Sequence, residues 1–360
     1  MKQQTKKIDV LMVGPTSSVK GGIRTVVKQY LAYNGWKEIN LRYIPTHVEG
    51  SILKKSLFFL IQYTLLCLSC LAHKPDIVHM HVSERGSFWR KMIILRTCQF
   101  LGMKTVLHHH GAEFFLFYDK ASEKNKHRIA RTISGADVNL VLSNYHFELM
   151  KKQFPQGNFK VIYNGIIPEA GVYNPYATGI LFVGRLGERK GIYDLIDAIE
   201  QIDGSLPSEI QLFFCGDGDI NHVSRVLSEK NLLKRVAHIG WCDKKQLLQF
   251  YGQSMLFILP SYNEGLPMSL LEAMYAGLPC ISTKVAGIPE VLKSGVNGIL
   301  VEPGNLDQIK DSILQLMQDK ELRKRFGSNA HDMVRESFLI RSHVRVLEEV
   351  YVNLEGNKYV

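Results

Sequence analysis

The chain has 360 residues, 46% apolar and 22% charged, enough for about two domains with buried cores, which excludes a disordered chain, a collagen-like repeat and a disulfide-stapled miniprotein. Its net charge of +10 is uneven: residues 1–166 hold 24 Lys and Arg against 10 Asp and Glu, residues 167–360 hold 20 against 24, and nine of the 13 His fall in the first part. A basic half joined to a slightly acidic one points to an anionic partner (nucleic acid, a membrane surface or a phosphorylated substrate), beside the plainer reading of a soluble surface.

No signal peptide is expected, because Met1 to Lys7 runs directly into a strand pattern. Strands are expected at 8–13, 40–44, 77–80, 105–109, 138–142 and 159–162, with helices near 22–33, 52–73, 86–101, 121–134 and 143–153. The stretch 56–72 carries no charge over 17 residues, somewhat short of the roughly 20 that span a bilayer, and it contains Gln62 and Thr64. It reads as a buried helix, with insertion or interfacial packing as the alternative. Residues 164–178, rich in Gly, Pro and Asn, read as a linker. Beyond it the scheme repeats, with strands at 180–183, 211–215, 236–239, 256–259, 280–283 and 298–301. Helices fall near 191–202, 220–231, 244–252, 267–277, 287–293 and 305–318, and the tail from about 321 reads as two more, divided near 336–342.

Short apolar strands alternating with helices indicate parallel sheets covered on both faces. The expected fold is therefore α/β, with two tandem Rossmann-like doubly wound domains facing across a cleft. Residues 1–166 and 167–336 form the two domains, and 337–360 is a terminal helical segment. The six cysteines, at 67, 70, 98, 215, 242 and 280, read as reduced core thiols of a cytosolic protein; Cys67 and Cys70 have C-x-x-C spacing but no second pair to complete a zinc site.

Five strand-to-helix turns carry candidate chemistry. Gly184-Arg185-Leu186-Gly187-Glu188-Arg189-Lys190-Gly191 offers backbone N–H groups and two cations to an anion, against the alternative of a solvated basic turn. In Pro260-Ser261-Tyr262-Asn263-Glu264-Gly265-Leu266-Pro267 an uncapped helix start faces the ligand end. Glu264 and Glu272 lie eight apart there, and Glu272 sits among Leu270, Leu271, Ala273 and Met274, where an unpaired carboxylate is costly. The third turn is Gly14 to Gly22, with Lys20, Gly21 and Gly22. The fourth is His108-His109-His110; alternate strand residues point to opposite faces, so three consecutive His cannot all ligate one ion, and His110 is preferred as the one entering the cleft. The fifth and weakest runs from His79 and His81 through Arg85 to Arg90-Lys91.

Together these residues resemble the family-4 glycosyltransferases, retaining enzymes of the GT-B fold, over nearly the whole chain. The E-x7-E element appears as Glu264 to Glu272, the G-x-L-x-x-x-K-G turn as Gly184 to Gly191, and the Gly-Gly loop as Gly21-Gly22. By that resemblance the C-terminal domain binds a nucleotide-sugar, UDP-linked by preference. Arg185 and Lys190 would contact its diphosphate, Glu272 its ribose and Glu264 the sugar hydroxyls, with Gly184 and the backbone of Gly265, Leu266 and Pro267 lining the site. Gly21 and Gly22 would approach the diphosphate, His110 would approach the transferred sugar, and the terminal helical segment, 337–360, would cross back to the N-terminal domain.

No metal or other cofactor is expected. The basic domain would take a lipid-linked or saccharide acceptor, with Lys20, His81, Arg85 and Arg90 as candidate contacts. Partners expected are therefore the donor, that acceptor and an anionic membrane touched peripherally, with no nucleic acid. The setting is cell-surface polysaccharide synthesis in the cytoplasm, at the inner face of the plasma membrane. A soluble-acceptor synthase or a sugar-nucleotide epimerase is the alternative.

Overall fold

Runs such as Ile77–Val82, Val138–Val141 and Ser254–Leu259 are buried at every position, as strands are when helices cover both faces of a sheet. The computed structural model describes residues 7–169 and 173–356. The expected leaderless start at 1–6, residues 170–172 of the expected linker and the last four residues of the terminal segment lie outside the described residues. The chain divides into two units, Met1–Gly165 with Ile340–Val360, and Ile166–Leu339.

The first unit runs β1 (Ile8–Pro15), α1 (Gly22–Ala32), β2 (Ile39–His47), α2 (Ile52–His73), β3 (Ile77–Val82), α3 (Gly86–Phe100), β4 (Lys104–His109), α4 (Phe114–Asp119), α5 (Glu123–Gly135), β5 (Val138–Val141), α6 (Asn144–Gln153) and β6 (Phe159–Val161). Its six strands are parallel in the order β2-β1-β3-β4-β5-β6. The helix predicted near 121–134 is α5, whereas α4 was not predicted; the run from Phe114 to Tyr118 is apolar at every position, which hides a helical period.

The second unit runs β7 (Gly179–Val183), α7 (Ile192–Ile202), β8 (Gln211–Cys215), α8 (Ile220–Glu229), β9 (Val236–Gly240), α9 (Lys244–Gln253), β10 (Ser254–Leu259), α10 (Met268–Tyr275), β11 (Cys280–Thr283), α11 (Ile288–Val291), β12 (Gly298–Val301), α12 (Leu306–Gln318) and α13 (Lys320–Ser337). Its strand order is β12-β11-β10-β7-β8-β9, again parallel. Side-chain caps fix several helix starts: Asp219 for α8, Asn305 for α12, Asp319 for α13, and Asp243 with Gln246 as a reciprocal box for α9. The last helix, α14 (Ile340–Gly356), belongs to the first unit. There it packs on β1, and its Tyr351 hydroxyl pairs with His79 Nδ1 at 2.6 Å.

One expectation is corrected. The helix predicted to be buried, α2, buries only Leu66 and Cys70. Ile52, Leu53, Leu57, Leu60, Ile61, Leu65, Leu68 and Leu71 are exposed. The reason is topological. Strand β2 is the edge of its sheet, so the helix beside it meets protein on one stripe, against β2 and α3. With 22 residues and low charge it is long and apolar enough to cross a membrane.

Candidate active site

In the second unit, strand order reverses between β7 and β10, and the carboxyl ends of neighbouring strands at such a reversal leave a crevice for ligands. The two strongest motifs leave the sheet at those two ends. After β7, Gly184 to Gly187 leads into a short 3-10 turn at Glu188–Lys190 and then α7. Gly191 joins turn to helix in the left-handed region, at φ +68°, and a Cβ there would lie 2.0 Å from the Pro260 carbonyl oxygen. Only glycine satisfies both conditions.

The loops are stitched together. Tyr262 N donates to Arg189 O at 2.9 Å, and Arg189 Nη1 donates to Asn263 O at 2.8 Å. Lys190 Nζ donates to Glu264 Oε1 at 2.5 Å, and Ser261 Oγ donates to the same oxygen at 2.7 Å. Glu264 is only 5% exposed. Its Oε2 has no hydrogen-bond partner among the described residues, so it remains free to accept from a ligand hydroxyl. Thr283 Oγ1 holds the loop start through Ser261 O at 2.6 Å, and Gly287 N donates to Gly265 O at 3.1 Å.

Helix α10 starts after Pro267 with no side-chain cap and no acidic residue in its first turn. Its leading N–H groups and positive dipole end are thus left for a ligand beside Gly265 and Leu266. Arg185 is an exposed guanidinium, 3.8 Å from Asp217. Glu272, on α10, has its carboxyl pushed up to about 7 by burial, an effect that the Lys244 charge and the Tyr251 hydroxyl partly offset.

In the first unit, Gly21 precedes α1 at φ +127° and a Cβ on Gly21 or Gly22 would meet nothing within 4 Å. Lys20, beside it, is exposed. The His tract splits by face: His109 Nε2 pairs with Asn139 Oδ1 at 3.0 Å, whereas His110 Nε2 pairs with His81 Nδ1 at 2.8 Å, and His108 Nδ1 with His79 Nε2 at 3.2 Å. Burial holds the imidazole of His110 down to about 3 and that of His79 to about 3, so both are neutral at pH 7. Arg85 is exposed and pairs with Glu113 at 3.3 Å.

Among the described residues, two sets of side chains have the composition and closeness to hold a borderline metal ion: His79, His81 and His108, and Cys215, His238 and Cys242, with ligand atoms within 4.8 Å of one another in each. The first set obeys the alternation argument, drawing on two strands rather than on one tract. Sequence reasoning named Ser261, Arg189 and Lys91 only as members of their turns and gave none of them a role. Lys91 had a signal, since Phe88, Lys91, Leu95 and Cys98 share the buried face of α3 at helical spacing.

Comparison with known proteins agrees along the chain. Residues 25–170 match the family described as Glycosyltransferase Family 4, and residues 175–333 match Glycosyl transferases group 1. An uncharacterized glycosyltransferase of Methanocaldococcus jannaschii is 30% identical over 260 residues, 71% of this chain and 70% of that one. A UDP-Gal:alpha-D-GlcNAc-diphosphoundecaprenol alpha-1,3-galactosyltransferase of Escherichia coli is 25% identical over 341 residues, 88% of this chain and 84% of that one. Among solved structures, sucrose-phosphate synthase from Thermosynechococcus elongatus shares the fold, with a TM-score of 0.80 at 18% identity over 98% of this chain and 100% of that one.

Proposed function

The chain belongs to the family-4 glycosyltransferases, with their GT-B fold of two Rossmann-like domains, and on that premise we propose that it moves a sugar from a UDP-sugar to a lipid-linked acceptor with retention of configuration. The observation that carries this reading is the meeting of Lys190 and Ser261 on one oxygen of Glu264, beside the uncapped start of α10. Breaking a sugar–phosphate bond requires stabilisation of charge on the departing diphosphate. Arg185, Lys190 and the N–H groups at α10 supply it. Glu264 Oε2 accepts from a sugar hydroxyl and Glu272 from the ribose. The reading assigns His110 to the transferred sugar and Gly21–Gly22 to the diphosphate.

Glu264 does not serve as nucleophile on this view. Two donors fix its Oε1, which suits a carboxylate that positions the sugar. Attack comes from the face the diphosphate leaves, and the departing phosphate oxygen takes the acceptor proton. No metal is assigned to the step.

The lipid-linked acceptor draws support from the eight exposed apolar side chains of α2 and from the acceptor that the name of the Escherichia coli relative gives. The reading includes peripheral docking of α2 on the anionic inner face of the plasma membrane, which the same surface, with Lys54 and Lys55 at its start, supports. The test is UDP release from UDP-sugars with and without a bacterial lipid extract. Release that needs the extract is expected, together with sedimentation of the protein on anionic vesicles, weakened by Leu60→Lys with Leu68→Lys. Equal release on soluble saccharides without sedimentation would move the enzyme to the synthases, and a changed sugar with no acceptor would make it an epimerase.

Glu272 yields a pH prediction. Its folded value, about 7, stands above the usual 4.5, so the half-buried carboxylate costs stability as pH rises from 4.5 through 7. Glu272→Gln is therefore expected to raise Tm at pH 8 and to change it little at pH 5. Ribose hydroxyls select the ionised form, so uridine affinity falls as pH drops below 7 in the wild type and is weaker but flat in the variant. A variant that keeps the wild-type pH slope would remove Glu272 from the ribose.

A further inference from the structure

We propose that the first unit holds an anion site of its own, at the reversal point of its sheet, with Lys91 as its buried cation, and that a phosphate or diphosphate group is its ligand. Only the identity of that ligand as part of the acceptor rests on the transferase reading. Strand order reverses between β1 and β3, with β2 beyond β1, so the carboxyl ends of these strands open the crevice where an α/β sheet takes its ligand. Lys91 reaches this place from α3 and is among the largest fully buried side chains. Its Nζ donates to Thr46 Oγ1 at 2.5 Å, and Thr46 in turn donates to Gly14 O at 3.2 Å. A neutral hydroxyl is thus the partner of a buried ammonium that still has two N–H groups to give.

The counter-charge is missing. Among the described residues no ion pair includes Lys91 or Arg90. The charges that bear on this corner are all cationic: Arg90 on Lys91, and Arg90, Lys91 and Lys55 on His47. His81, with His79, His108 and His110 around it, lies beside Gly14. Two further nitrogens, the donor Arg90 Nε and His47 Nδ1 (donor or acceptor according to the tautomer of a neutral ring), are buried without partners. Burial without a carboxylate holds Lys91 down to about 7, the cost that an incoming dianion removes.

A packing role does not explain the lysine. Its neighbours on the buried face of α3 are Phe88, Ile94, Leu95 and Cys98, and a methionine would fill the same stripe with no charge to desolvate. Lys91, Arg90 and His47 lie near enough for the two cations to act on the imidazole and for Arg90 to act on Lys91, and phosphate-class dianions are the ligands that suit several N–H donors in one place. The first turn of α3 holds no acidic residue that would compete.

The experiment uses the full chain saturated with UDP, so that Arg185 and Lys190 are occupied. Inorganic pyrophosphate is titrated in by calorimetry. Wild type is expected to bind it, Lys91→Met to bind it about tenfold more weakly or worse, and both to bind UDP alike. Lys91→Met should melt no lower than wild type. Should it fail to fold, Arg90→Gln replaces it, with the same weakening expected. Equal pyrophosphate binding by wild type and variant overturns the site. In turnover assays, a raised KM for lipid-diphosphate acceptor with kcat nearly kept identifies the ligand as the acceptor, whereas an unchanged KM beside lost pyrophosphate binding overturns that identity in favour of free phosphate. Loss of pyrophosphate binding in a protein that transfers no sugar to anything leaves the site standing and removes the transferase reading.

Discussion

Glu264→Gln is expected to lower sugar transfer by about two orders of magnitude or more while changing UDP affinity less than about threefold. The amide keeps the shape, and its carbonyl can still accept from Ser261 Oγ at the place of Oε1. What changes is the free oxygen, Oε2, which becomes an NH2 group that cannot accept from a sugar hydroxyl. The sugar then loses its orientation, and a misplacement of about 1 Å at the reacting carbon is enough to cost about 100-fold. The nucleotide does not lose its own contacts, because Arg185 and α10 are untouched. Glu264→Ala adds a second effect. Lys190, whose side chain is 12% exposed, is left without its carboxylate, and removing one member of so enclosed a pair costs about 3 kcal/mol. Lys190→Met added to Glu264→Ala should restore much of that stability and no activity. Thermal melts with and without UDP, beside transfer assays, separate the two effects. A parallel loss of UDP affinity and turnover in Glu264→Gln would show that the carboxylate serves the nucleotide rather than the sugar.

The sequence made the alternation of strand and helix legible because parallel strands covered on both faces are short apolar runs, and these stand out between amphipathic helices. It did not reveal which side of an apolar helix meets protein. Helix α2 is as apolar as a core helix, and only the strand order, which puts β2 at the edge, shows that most of its surface has nothing to pack on. The same limit applies within the site. Lys190 and Glu264 were each nominated, but they lie 74 residues apart, and nothing in spacing along the chain says that they touch. The split of the His tract follows from strand alternation alone. The partners of its members do not: they depend on the β3–β4 register, which sets His81 opposite His108. Lys91 was passed over for Arg90 because a charge on a helix is read as solvated unless the apolar stripe around it is counted first.

Gly191→Ala tests the stitching that creates the second unit's site. An alanine Cβ would stand 2.0 Å from the Pro260 oxygen and 2.8 Å from its carbon, both backbone atoms at the end of β10 that cannot swing aside. Left-handed φ adds about 1 kcal/mol of strain for any residue with a Cβ. Relief requires the start of α7 to back away from the 260–264 loop. The bonds that cross this gap, Arg189 O to Tyr262 N and Lys190 Nζ to Glu264, then stretch together. The expected result is a unit less stable by about 2–4 kcal/mol and a UDP affinity at least about tenfold weaker. Gly187→Ala is the matched control. Its φ of 169° is extended backbone, and its Cβ would meet nothing within 4 Å, so stability within about 0.5 kcal/mol of wild type is expected. Should Gly191→Ala bind UDP as tightly as Gly187→Ala, the close approach of the two loops would not be what holds Lys190 and Glu264 in place for the donor.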